Sequence, residues 1–360
     1  MKQELIDELQ KRNARIIDAI LKKAQKVCPN SIALIGIAGS FCHGDIHERS
    51  DLDLCIVIND DAGWKIADCF ILDEVGFDIY CTPWHRLESM AKYTDPHVTK
   101  LLQLDIVYHA DEAALARYMS LRKTVQGKLD APFSSEDAKN VTRHFSDAMQ
   151  AYACVMLADT AAECKYASAK MILAIEYLIY LANKAYIHRG IRRIPEELRD
   201  MKCLPKDFWS IYQQLIKARF HDDIQSCSAR IMKSVRDFIT GLTEPVTVKK
   251  ELPPDAIRGT YEEIISNWRS KIILAAETDD AYLALMTMAS CQQFYDEFST
   301  EYDIERVRLY EGFRIDDLYR SVERFDVAAE YYRDLYARLG EPIRSYSSIE
   351  EFEDAYLERE

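Results

Sequence analysis

The chain has 360 residues, and its 46 Lys and Arg stand against 60 Asp and Glu for a formal net charge of −14. That length predicts about two domains, and 48% hydrophobic with 29% charged residues excludes wholesale disorder. The acidity excludes a protein built mainly to grip long nucleic acid, and ten cysteines without a CxxC pair exclude a zinc ribbon and read as reduced, mostly buried thiols.

Residues 2–26 place Leu5, Ile6, Leu9, Ile16, Ile17, Ile20 and Leu21 three and four apart among charges, which predicts an amphipathic helix. The apolar runs 32–38 (IALIGIA) and 52–58 (LDLCIVI) predict two buried strands. A third strand is expected over 77–82 (FDIYCT) and a fourth over 105–109 (DIVYH), with helical stretches at 85–93 and 98–104 between them. After Asp111 the strand signals stop. Helical periodicity covers 136–160, 165–188, 206–219 and 222–241, the pattern of a helical bundle. The three prolines of 244–254 (EPVTVKKELPP) mark a linker, and further helices are expected near 255–277, 279–299, 313–338 and 347–358.

The chemistry concentrates in residues 35–58, IGIAGSFCHGDIHERSDLDLCIVI. Side chains alternate along a strand, so Asp51 and Asp53 share one face at its start while Leu52 and Leu54 take the other. Two carboxylates one pleat apart repel each other unless a divalent cation joins them. Asp78, near the start of the third strand, is the expected third acid of a two-metal cage, with Asp73 and Glu74 as nearby alternatives. Gly39 would let a phosphate approach the backbone, and Ser40 could donate from its N–H and hydroxyl.

The order Gly-Ser, ten residues, Asp-x-Asp on a strand, then a later Asp resembles the polymerase-beta-like nucleotidyltransferase superfamily. The wording GSFCHGDIHERSDLDLCIV is similar to its small-molecule branch, the aminoglycoside and lincosamide nucleotidyltransferases. The resemblance implies that Ser40 binds the terminal phosphates of an NTP, with Gly39 and Ser50 beside it, and that Asp51 and Asp53 hold two Mg²⁺ ions. Asp78 would act as metal ligand or as base. It continues more weakly into LANKAYIHRGIRRIPEEL, where Asn183, Tyr186, Arg192 and Arg193 look like the element that covers the nucleotide. Glu176, Tyr180 and Asn183 fall at i, i+4 and i+7, one polar stripe suited to a cationic or polyhydroxyl acceptor, and Glu176 is a candidate base. The plainer alternatives are a helix glutamate paired to a neighbour, and solvated arginines after a helix that ends at Gly190.

The expected fold class is thus α+β. A nucleotidyltransferase α/β head with a small mixed sheet (1–115) precedes a helical bundle on the acceptor side of the cleft (116–245) and a helical C-terminal region (255–360). The expected activity is Mg²⁺-dependent transfer of a nucleoside monophosphate, AMP from ATP or the equivalent from another NTP, to a hydroxyl of a small molecule. The rivals are a protein-modifying adenylyltransferase and a nucleotide-binding regulator without turnover. The charged N-terminus and the lack of a 20-residue apolar run lead to the expectation of a cytoplasmic protein without a membrane partner. A homodimer would form through the helical regions.

Overall fold

A computed structural model of the chain describes residues 2–39, 41, 46, 50–246 and 249–358. The chain divides into two compact units, Met1–Thr247 and Val248–Glu360. Its class is α+β, with a small mixed sheet in the N-terminal region and helices thereafter. No helix among the described residues is long and apolar enough to cross a membrane.

In the first unit, α1 (Lys2–Val27) precedes β1 (Ile32–Ile37) and β2 (Leu54–Ile58). The hairpin β3 (Asp68–Leu72) and β4 (Val75–Ile79) follows, then β5 (Cys81–Pro83), α2 (Trp84–Ala91), α3 (Thr99–Leu102) and β6 (Asp105–His109). The sheet order is β5-β2-β1-β6, with β1 antiparallel to both neighbours and β2 parallel to β5. Strand alternation sorts the side chains into two layers. Leu54, Ile56 and Ile58 face Ile20 and Ala24 of α1, whereas Cys55 and Val57 join the larger core that continues into the helices. Gly36 belongs to the central strand because Leu104 packs against it; a Cβ there would lie 2.2 Å from Leu104 Cγ.

The third strand departs from expectation. The run 77–82 is broken at Tyr80: its first part is β4, paired with β3 and not with the main sheet, and its second part is β5. Asp73 and Glu74, considered as alternative acids, form the hairpin tip with φ of 49° and 63°. Both residues of a two-residue hairpin turn adopt such left-handed backbone, and without the usual glycine the sequence gives no sign of it.

The bundle consists of α4 (Glu112–Asp130), α5 (Ser135–Leu157), α6 (Ala161–Ala182), α7 (Ile194–Arg199), α8 (Phe208–Lys217) and α9 (His221–Thr243). The sequence does not announce α4, whose only fully buried residues are Tyr118 and Val125. Helix α6 ends six residues before its expected limit. Asn183 caps it and Lys184 takes φ 52°, so Lys184 and not Gly190 supplies the left-handed residue after the helix. That conformation directs the Lys184 ammonium onto both carboxylate oxygens of Asp137, each at 2.8 Å, and over the ring of Tyr93 at 5.7 Å. Asp137 is also the third residue of the α5 capping box, accepting from the Ser134 N–H at 2.9 Å.

The second unit comprises α10 (Pro254–Ile257), α11 (Thr260–Ile264), a π-turn (Ile265–Arg269), α12 (Ser270–Glu277), α13 (Ala281–Glu301), α14 (Tyr319–Leu339) and α15 (Ile349–Leu357). The helix expected over 255–277 is broken at Gly259, whose φ is 84°. Tyrosines of this region build the unit's own core: Tyr295, Tyr332 and Tyr336 are fully buried with Phe325. Their hydroxyls are engaged in part, Tyr332 with Thr260 Oγ1 at 2.9 Å and Tyr336 with the Ile257 carbonyl.

The Asp137–Lys184 pair is almost fully buried, with 11% and 14% of the two side chains exposed. Removing one partner strands the other charge, so Asp137→Ala should lower the unfolding free energy of the chain by about 3 kcal/mol in a urea titration. The double variant Asp137→Ala with Lys184→Met should recover much of that loss.

Candidate active site

The site is assembled where β1 and β2 run out. The pairing of Ile37 with Leu54 continues beyond both strands, since the Ala38 N–H donates to the Asp53 carbonyl at 2.8 Å. Asp51 and Asp53 therefore lie just before β2 and not within it, in extended chain that keeps Leu52 and Leu54 buried. Gly39 turns away at φ 68°, and a Cβ on it would fall 1.8 Å from Asp53 Oδ2. The sequence suggests a glycine kept bare for a phosphate; here the missing side chain makes room for the Asp53 carboxylate itself.

A cavity of about 690 Å³ opens over these groups, and Gly39, Ser50, Asp51, Asp53 and Asp78 all border it. Asp78 reaches it from the hairpin, where it accepts a weak hydrogen bond from Cys69 Sγ at 3.4 Å. Burial pushes the Asp53 carboxyl above its ordinary value; Asp51 adds to the effect and Lys100 opposes it. Two hard carboxylates that repel each other suit a divalent cation, which takes one or two such ligands and completes its shell with water and phosphate. Among the described residues no group of three or more His, Cys, Asp or Glu is close enough to hold a metal, so Asp78 shares the cavity without closing a three-acid cage. Ser40 lies outside the described residues. Ser50 is buried, and its carbonyl accepts from Arg12 Nη2 at 2.7 Å.

Arg12 is one of several residues the sequence analysis missed. Its guanidinium lies 4.9 Å from the Phe77 ring centroid, tying α1, the Asp51 segment and the hairpin together. Burial lowers its pKa and the nearby Asp51 and Asp73 oppose that. Nothing in the periodicity of α1 distinguishes Arg12 from Lys11 or Arg15. Among the described residues the cavity's cations are Arg86, Lys100 and Arg189, and the first two lie over the Tyr80 ring at 5.4 and 5.8 Å. His97 Nε2 and Tyr177 OH, 2.6 Å apart, border it as well.

The bundle residues are arranged differently from expectation. Glu176 is buried at 6% exposure and accepts from Tyr212 OH at 2.8 Å, within the bundle core; the neighbouring Tyr177 is the residue that borders the cavity. Tyr180 OH donates to Glu197 at 2.7 Å. The Asn183 amide is occupied by the Ile179 and Cys203 carbonyls and by the Cys203 N–H, so it clamps a loop and does not face a ligand. The polar stripe thus turns into the protein and offers no acidic wall to a cationic acceptor. Arg193 pairs with both oxygens of Glu196 at 2.8 Å, and Arg192 is exposed; the wall is built from Arg189, Gly190, Ile191 and Ile194 instead.

The loop that carries Arg189 is held from two sides. Tyr93 OH donates to the Ala185 carbonyl at 2.6 Å, Thr99 Oγ1 to the Ile187 carbonyl at 2.7 Å, and the Ile187 N–H to the Pro96 carbonyl at 3.2 Å. On the other side the Glu197 carboxylate accepts from the main-chain N–H groups of His188 at 3.0 Å and Arg189 at 2.8 Å.

Burial pushes the Glu176 carboxyl up to about 7, against the opposing hydrogen bond from Tyr212. A carboxyl protonated more readily when folded contributes its full stability below about pH 4.5 and loses it as the pH rises through about 7. Glu176→Gln should therefore flatten the stability profile across that window and stabilise the protein at pH 8 by up to about 3 kcal/mol, read from urea midpoints at each pH.

No protein-family model matches the chain, and no curated protein matches it in sequence. Among solved structures it is similar to a nucleotidyltransferase-like protein from Exiguobacterium sibiricum, at 10% identity and a TM-score of 0.39, over 68% of this chain and 81% of that one.

Proposed function

We propose that the first unit is a Mg²⁺-dependent nucleotidyltransferase that moves a nucleoside monophosphate, AMP from ATP in the simplest case, to a hydroxyl of a small molecule and releases pyrophosphate. The observation that carries this reading is the Asp51–Asp53 pair, with Asp53 seated against the side-chain-free Gly39, bordering a cavity that Arg86, Lys100 and Arg189 also line. Asp51 and Asp53 would hold the metal, which when bound supplies positive charge at the α-phosphate and at the attacking oxygen. Lys100, Arg86 and Arg189 would neutralise the remaining phosphate charge and orient the triphosphate. The acceptor oxygen then forms its bond to the α-phosphorus as the bond to the bridging oxygen breaks. Pyrophosphate leaves with that oxygen, and the hydroxyl proton passes to Asp78, the remaining carboxylate at the cavity among the described residues. The apolar wall of Leu173, Ile187, Ile191 and Ile194 would limit water at the reacting centre and receive the acceptor. With Glu176 withdrawn into the bundle, Asp78 is the better candidate for the base.

Pyrophosphate release from ATP with Mg²⁺ should become acceptor-dependent when the protein is offered a panel of aminoglycosides, lincosamides and neutral polyols. Asp51→Asn and Asp53→Asn should each lower that rate by about 100-fold or more with circular dichroism unchanged. Gly39→Ala should have a similar effect, because the added methyl displaces Asp53. The proposal fails if the wild-type protein neither releases pyrophosphate with any acceptor nor binds Mg²⁺–ATP by calorimetry.

A further inference from the structure

We infer that the acceptor is an alcohol carried on an uncharged, apolar body and not a polycation; this rests on the nucleotidyltransferase reading above and names the substrate class of the same cavity. The bundle side of that cavity is supplied by residues 173–194, all of them described. The segment holds four bases, Lys184, Arg189, Arg192 and Arg193, and one acid, Glu176. Glu176 is bonded to Tyr212 in the bundle core, so no carboxylate of this segment borders the cavity.

Aliphatic side chains border it instead. Leu173 and Ile191 are 37% and 80% exposed, and they line the cavity together with the buried Ile187 and Ile194. Single apolar side chains are common on a surface, but two exposed ones bordering a single cavity mark a place where an apolar ligand can take them out of water. The polar groups of this wall are already engaged: Tyr177 OH lies 2.6 Å from His97 Nε2, and His188 stacks on Tyr186 and lies 3.0 Å from Gln103 Nε2. The loop is fastened through its main chain, so the wall is formed before the acceptor arrives.

An ammonium group set against this wall would give up hydration with no anion there to meet it, in a cavity that Arg189 also borders. The described carboxylates across the cavity are committed, Asp51 and Asp53 to the metal and Asp78 to the proton in the proposed reaction. A polyol would press most of its hydroxyls against aliphatic carbon and lose their hydrogen bonds to water. An alkyl body gains from each methylene it buries there.

Hexanol, aminohexanol and hexanetriol share one carbon chain and differ in charge and polarity. Each is offered to the full chain with saturating Mg²⁺–ATP, and kcat/KM is read from pyrophosphate release. Hexanol should exceed both comparators by about tenfold. Ile191→Asp sets a carboxylate on the exposed lip and, with that side chain 80% exposed, spares the core. It should lower kcat/KM for hexanol about tenfold and raise it for aminohexanol, reversing their order, whereas Ile191→Leu should keep the wild-type order. The inference is overturned if aminohexanol or hexanetriol matches hexanol, if Ile191→Asp leaves the order in place, or if none of the three is turned over while calorimetry shows Mg²⁺–ATP bound. Absence of both turnover and Mg²⁺–ATP binding overturns the nucleotidyltransferase reading itself, and this inference with it.

Discussion

The Asp53 carboxylate occupies space that a side chain at position 39 would fill, and the rest of the candidate site follows from that contact. Backbone pairing carries Ala38 against Asp53 one step beyond the strands, so residue 39 must turn at positive φ directly beside the acid. Any Cβ would meet the carboxylate oxygen well inside van der Waals contact. The close approach buries Asp53 beside Asp51 and raises its proton affinity, leaving a pair that two like charges alone would not favour.

The opposite wall depends on a different device. One continuous core runs from the sheet through α2 and α3 into α5, α6 and α9, so sheet and bundle are not joined by a hinge. At its edge the buried Asp137–Lys184 pair fixes where α6 stops, and the residues released from the helix become the loop that presents Arg189. Helix termination is thus part of site construction. A longer α6, as its apolar periodicity suggests, would have no such loop.

The sheet was legible because its strands are short apolar runs with one possible burial, and the acids because two of them alternate with leucines. The hairpin was not legible: Asp73–Glu74 lacks the glycine that betrays a two-residue turn, so FDIYCT reads as one strand when it serves two sheets. The spacing of Glu176, Tyr180 and Asn183 correctly placed them along one stripe, yet α6 is apolar almost all round and spacing cannot say which way a stripe turns. Tyr212 and Glu197, distant in sequence, decide that by bonding Glu176 and Tyr180 inside the protein. Arg12 and Lys100 were invisible for the same reason, since their significance comes from what the fold sets beside them.

Glu197 holds the His188 and Arg189 amides while, among the described residues, the Arg189 guanidinium makes no hydrogen bond that fastens the loop. Scaffold and side chain are therefore separable at this position. Replacement of Arg189 by a neutral or acidic residue leaves the main-chain anchor intact, so selection could retune which anions or acceptors this wall admits without rebuilding the loop that displays it. The same internal carboxylate already occupies two N–H groups that an incoming phosphate would otherwise seek, which removes those two from the wall's means of discrimination.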